Sequence, residues 1–172
     1  DLGPLRPSLL NRLQTESGAI EAAPPLFMQA LQALPQTLPE PAKGSLQLIG
    51  RRDIRSNNSW MHNAPRLVKG KTRHHLLMHD DDVALRGLKD GAQVRVRSAT
   101  GEISVELRAS RTVMRGVVCL PHGFGHQGKG VRLQQATALT GPSYNDLTDA
   151  SALDGPSGNA ALNGLEVWVE AV

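Results

Sequence analysis

The chain has 172 residues, 40% hydrophobic and 3% aromatic, with a formal net charge of +3. That length holds one domain with a sizeable core, which must be mostly Leu, Val, Ile and Ala because the aromatics are only Phe27, Trp60, Phe124, Tyr144 and Trp168. The mild positive charge favours an anionic ligand but lacks the dense Lys/Arg clusters of a dedicated nucleic-acid binder, and no apolar run is long enough to span a membrane.

The sequence starts Asp1-Leu2-Gly3-Pro4, with neither a Met nor a signal peptide, so excision from a longer parent is expected. Residues 1–24 carry Pro4, Pro7 and Pro24 without sustained periodicity and read as irregular. Pro24-Pro25 opens a short helix whose Leu26, Phe27, Ala30, Leu31 and Leu34 recur at three- and four-residue steps. That apolar face requires a covering surface. From Pro35 to Ser45 the composition is that of a linker, so an N-terminal segment, 1–44, is expected to precede a compact domain, 45–172.

Leu46 to Gly50 is a short apolar run that fits a buried strand, and it breaks into a loop rich in polar groups from Arg51 to Asn63. Three arginines there, Arg51, Arg52 and Arg55, offer forked donors suited to phosphate oxygens, and its Asn and Ser groups suit a polar ring edge. A solvated surface loop would show the same polarity. His74 to His79 fits a strand. Asp80-Asp81-Asp82 then caps a very short helix ending before Gly87, which explains these acids more simply than a metal site with His79 would. Val94, Val96, Ile103, Val105 and Leu107 alternate with polar residues around Ala99-Thr100-Gly101, predicting a β-hairpin with one wet face, where arginines and Glu106 pair across strands. Val117 to Leu120 is a further core strand, and Leu165 to Val169 a last one. Short strands, tight turns and stubby helices predict a mostly-β fold, a small β-barrel.

Two more irregular stretches could carry binding groups. Pro121 to Gly130, PHGFGHQGKG, follows a core strand, and its glycines allow backbone N–H groups to approach an anion. His122 and His126 have the spacing of helical zinc ligands, but Gly123 and Gly125 oppose a helix and no third ligand fits. Gly141 to Gly164 reads as one long structureless loop in which Asn145 and Asp146 are the best ligand groups. Cys119, the single cysteine, excludes an internal disulfide, favours a reducing, cytoplasmic setting, and by alternation sits in or near the core. No catalytic constellation and no phosphate-cradling GxxxxGK[ST] stands out.

The order LQLIGRR with its Asn/Ser/His loop, HDDDVALRGLKDGAQVRVRSATGEISVELRAS, MRGVVCLPHGFGH, YNDLTD and LEVWVEAV resembles the C-terminal cofactor-binding domain of molybdopterin oxidoreductases of the dimethyl-sulfoxide-reductase type, over residues 45–172. The leading DLGPLRPSLLNRLQTESG resembles the segment before this domain in formate-dehydrogenase- or nitrate-reductase-like members. The resemblance implies a double-psi β-barrel, of the aspartate-decarboxylase-like kind, that closes over bis(molybdopterin guanine dinucleotide) carrying molybdenum or tungsten in a parent oxidoreductase. By position it implies that Arg51, Asn57, Asn58, Ser59 and Trp60 contact the cofactor, with His122, Gly123 and Gly125 in a second loop and Asn145 and Asp146 in a third. It further implies that the metal ligand, any iron–sulfur cluster and the catalytic residues belong to the parent's other domains, so this domain alone is a binding module. Two other readings compete. One is a free barrel binding nucleic acid through Arg51, Arg52, Arg55, Lys69, Lys71 and Arg73, and the other is a barrel that cleaves itself at Gly44-Ser45. The three loops, 51–63, 121–130 and 141–164, are expected at one end of the barrel.

Overall fold

The computed structural model describes residues 3–37 and 40–172. They fall into two units, 1–39 with 155–158 and 40–154 with 159–172.

In the first unit a single helical turn, α1 (Leu9–Arg12), lies within the stretch expected to be irregular; its N-cap Ser8 makes no side-chain capping bond. The expected helix is α2, Pro25–Thr37, beginning at the proline that suits a first turn. It runs past Pro35, where the linker was placed; residues 38–39 of that linker lie outside the described residues. Leu26, Phe27, Met28, Leu31 and Leu34 are all exposed.

The second unit holds β1 (Leu46–Arg51), α3 (Pro65–Val68), β2 (Leu76–Met78), α4 (Asp80–Leu85), β3 (Gln93–Arg97), β4 (Glu102–Ala109), β5 (Val117–Pro121) and β6 (Leu165–Ala171). The strands close into a barrel in the order β1-β5-β2-β4-β3-β6. The β1/β5 and β2/β4 pairs are parallel and the others antiparallel. Closure leaves no strand edge unpaired, which removes the usual route to edge-to-edge aggregation. The predicted hairpin is β3 and β4, with Val94 opposite Val105 and Val96 opposite Ile103, all buried. Their side chains meet Leu46, Leu48, Leu107, Val118, Leu120 and Val167 inside. Cys119 is buried in β5, which is covered along most of its length.

Several local expectations change. The strand drawn from His74 to His79 shrinks to β2, and α3 carried no signal beyond Pro65 at its start. The cap of α4 is His79, whose Nδ1 accepts from the Asp81 backbone N–H, not an aspartate. The aspartates serve elsewhere: Asp80 meets Arg111 at 2.9 Å, Asp81 meets Arg115 at 3.7 Å, and buried Asp82 accepts the Gly116 N–H at 2.7 Å. On the wet face Glu106 pairs with Arg108 of its own strand at 2.7 Å, and Arg97 reaches Glu170 of β6 at 4.0 Å, so neither pair crosses the hairpin. The 141–164 loop is not structureless. It holds a 3-10 turn, Tyr144–Leu147, whose Tyr144 and Leu147 are core residues, and a bridge between Leu153 and Ala160.

Candidate functional site

Strand register decides where the loops go. Arg51 pairs with Pro121 at the shared ends of parallel β1 and β5, so both strands release their loops at one end of the barrel. Antiparallel β6 enters there too, with Leu165 opposite Leu48, and the segment before it is pinned by Gly164 N–H to the Leu48 carbonyl and by Gly50 N–H to Asn163 Oδ1. All three irregular stretches therefore meet, and they enclose a cavity of about 310 Å³ lined by Arg52, Asn58, Ser59, His122, Tyr144 and Asn145 among others.

The first loop winds on Asp53. Its carboxylate accepts the Arg55 N–H at 2.8 Å and pairs with Arg73 at 3.0 Å, while its carbonyl accepts from Ser56 and Asn57 N–H. Asn57 and Asn58 follow with φ of 44° and 65°, the only non-glycine left-handed residues among those described. Asparagine tolerates that conformation, so the pair has a backbone reason as well as a ligand reason. Asn58 Oδ1 is buried without any hydrogen-bond partner and belongs to a residue lining the cavity. A buried amide oxygen left bare costs roughly 1–3 kcal/mol, which a donor brought to it would recover. Asn57 and Trp60 are outside the cavity lining, and Trp60 is 79% exposed.

The second loop fits against the first through glycine. A Cβ at Gly123, where φ is +94°, would lie 2.4 Å from the Asn58 carbonyl oxygen, and one at Gly125, where φ is +102°, 2.7 Å from Ser143 Cβ. These glycines join loop to loop rather than presenting open backbone to an anion. His122 stacks on Tyr144 with ring centroids 3.9 Å apart and lies over Gly50, where a Cβ would strike its ring. Burial, then the Arg52 charge, holds the His122 pKa below 6.5, so at neutral pH its ring offers one donor and one acceptor. Tyr144 donates to the Leu162 carbonyl at 2.5 Å, and burial, then Cys119, pushes its pKa up to about 12.

The third loop brings Asn145 to the cavity, whereas Asp146 faces a wider groove of about 690 Å³ shared with His74, Glu106 and Gly125. Arg51 behaves differently from its sequence reading. Its guanidinium donates to the carbonyls of Cys119, Arg73 and His75 at 3.0–3.2 Å, tying β1 to β5 and to the segment before β2. Arg52, one residue on, is the arginine that lines the cavity. Thus Asn58, Ser59, His122, Gly123 and Asn145 come together, while Arg51, Asn57, Trp60, Gly125 and Asp146 do not line this cavity. Sequence reasoning missed Tyr144 and Phe124 as site-builders; their only signal was being rare aromatics inside otherwise polar loops.

The set of donors and acceptors, an arginine, a neutral imidazole, a serine and two amides, one of them with a bare oxygen, suits an anionic heteroaromatic ligand. Residues 46–166 match the family model described as "Molydopterin dinucleotide binding domain". Similar curated proteins include a tetrathionate reductase subunit from Salmonella typhimurium, 26% identical over 63% of this chain and 12% of that one. Biotin sulfoxide reductase of Cereibacter sphaeroides is 32% identical over 46% of this chain and 11% of its own length. Dimethyl sulfoxide/trimethylamine N-oxide reductase of Rhodobacter capsulatus is 43% identical over 27% of this chain and 6% of its own length. The chain thus spans a small fraction of the relatives it matches. Acetylene hydratase from Pelobacter acetylenicus shares the fold, with a TM-score of 0.58 at 19% identity over 74% of this chain and 18% of that one.

Proposed function

Because the chain belongs to the molybdopterin dinucleotide-binding domain family of the dimethyl-sulfoxide-reductase-type oxidoreductases, and folds as their double-psi β-barrel, we propose that the 310 Å³ cavity seats the nucleotide end of the cofactor. The observation that carries this is Asn58, a residue of the cavity lining whose Oδ1 is buried without a partner. A guanine ring presents N–H donors along one edge, which an amide oxygen accepts and which adenine does not match in the same arrangement. Arg52 would hold the diphosphate, His122 and Ser59 would supply further hydrogen bonds, and Tyr144 supports the His122 ring from a tilted contact at 3.9 Å. When bound, the cofactor supplies metal-centred redox chemistry, with molybdenum or tungsten. The residues of this chain bind it, orient it and keep water from its nucleotide end. The remaining domains of a parent oxidoreductase, in a cytoplasmic setting in keeping with the lone Cys119, complete the enzyme, and this domain alone does not turn over.

Titration with guanosine diphosphate, followed by backbone amide shifts, tests the reading. Affinity of roughly 0.1–1 mM is expected, because only one wall of the full site is present and side chains of the loops must be ordered on binding. Shifts should cluster at 52–63, 121–130 and 143–146. Asn58→Gly removes the acceptor yet keeps a residue content with positive φ, and should weaken binding about tenfold. Shifts centred on Arg95, Arg97 and Arg108 would show nonspecific attraction to the hairpin and sink the reading.

The nucleic-acid alternative has three of its six donors committed within the chain. Arg51 is committed to three carbonyls, Arg55 donates to the Arg66 carbonyl and Arg73 is paired with Asp53. Ser45 Oγ lies 2.7 Å from the Ala42 carbonyl and 2.8 Å from Glu166 and can donate to one of them, and an intact mass is the measurement that decides the self-cleavage alternative.

A further inference from the structure

Where the first and second loops cross, His62 Nδ1 and His126 Nε2 lie 2.7 Å apart. His62 is 2% exposed, its ring meets Phe124 at 4.7 Å, and Phe124 in turn meets His74 at 4.4 Å. His126 also lines the cavity assigned above to the nucleotide. Resting on that assignment, we propose that the His62–His126 hydrogen bond is a latch that positions the two loops for the cofactor, and that it opens when both rings carry an extra proton.

The chemistry of the pair sets the condition. Two neutral imidazoles can share one N–H and one lone pair across this gap. One added proton keeps the bond and makes it charge-assisted. A second proton leaves an N–H on both facing nitrogens, so no acceptor remains and two like charges meet. The surroundings resist that second proton. Arg55, Lys71 and Arg73 line the cavity beside His62, and Arg52 and His122 share the cavity lined by His126. Only Asp53 favours a charged His62 among its nearby side chains. Burial, then the His126 charge, lowers the His62 pKa below 6.5, which keeps the latch shut at neutral pH and sets its opening on the acid side of that value. Residues of this kind position the site; they need not touch the ligand.

The test compares wild type with His126→Gln and His126→Phe at about pH 7.5 and about pH 5. His74, whose pKa is lowered to about 4, stays neutral throughout that range. Glutamine can keep a hydrogen bond to His62 but does not titrate. Loop protection is taken throughout as its ratio to that of the 93–109 hairpin, because His74 gains a proton on unfolding and lowers the stability of the whole barrel on acidification. On that ratio the amides at 56–63 and 121–127 in the wild type should lose protection roughly fivefold to tenfold. His126→Gln should keep its loop protection at both pH values, and His126→Phe should lack it at both. Guanosine diphosphate affinity should follow the same order; taking the ratio to His126→Gln cancels titration of the nucleotide's own phosphate. Wild-type loop protection that ignores pH, or an equal loss in His126→Gln, overturns the latch. Should the nucleotide bind none of the proteins while loop protection still tracks pH, the latch stands and the cofactor assignment falls. Loss of hairpin protection in a variant marks misfolding, and the wild-type pH series then decides.

Discussion

Single residues carry more of this site's shape than of its affinity. Gly123 has no room for a side chain, since the Asn58 carbonyl and the Ser59 N–H lie where a Cβ would go, and its φ of +94° strains any L residue. Gly123→Ala should cost about 1–3 kcal/mol of stability by denaturant melting, whereas Gly128→Ala, with its nearest neighbour 3.6 Å away, should cost far less. His74 sets a pH dependence. Burial, which outweighs a hydrogen bond to Pro142, lowers its pKa from 6.5 to about 4, so between those values the unfolded chain binds more protons. The stability is fully present above pH 6.5 and lost as pH falls toward 4, by about 3 kcal/mol, and His74→Gln should flatten urea midpoints across that window. At this scale the sequence showed residue types but not their commitments. Arg51 and Arg52 look equivalent as letters, yet one braces strands through three carbonyls and the other lines the cavity.

Elements were legible where period and turn chemistry agree. The β3/β4 hairpin, β5, β6 and α2 follow from two- and three-to-four-residue spacing. The turns α1 and α3 have four residues each, too short for any periodicity to register. The capping of α4 was misread because histidine is a rare cap, and only the turn geometry shows its Nδ1 accepting. The third loop was misread because its anchor is a single side chain. Tyr144 is 1% exposed and donates to the Leu162 carbonyl across 18 residues, so the loop is nailed down at mid-length. Tyr144→Phe keeps the ring under His122 but strands that carbonyl, and should cost about 0.5–1.5 kcal/mol while loosening amides at 159–164 in hydrogen exchange.

For the whole molecule, composition and alternation pointed to a barrel, but strand order did not follow from them. Parallel β1 and β5 are separated by about seventy residues, and nothing local announces their pairing; it was the order of segments, as a family resemblance, that anticipated the architecture. Closure has a further consequence, in how the barrel comes to be made. β6 completes the ring by joining β1 on one side and β3 on the other, and it is the last of the six strands to be synthesised. Until it arrives, β1 and β3 each present a bare hydrogen-bonding edge, and β1, the first strand out, waits longest. Such long-range pairings also make folding slow relative to helical proteins of similar size. Removing residues 165–172 should therefore give a chain that associates through those edges, seen as concentration-dependent light scattering during refolding, while the intact chain refolds to a monodisperse state. The closed ring protects the finished protein, and the same ring exposes the growing one to its neighbours on the polysome.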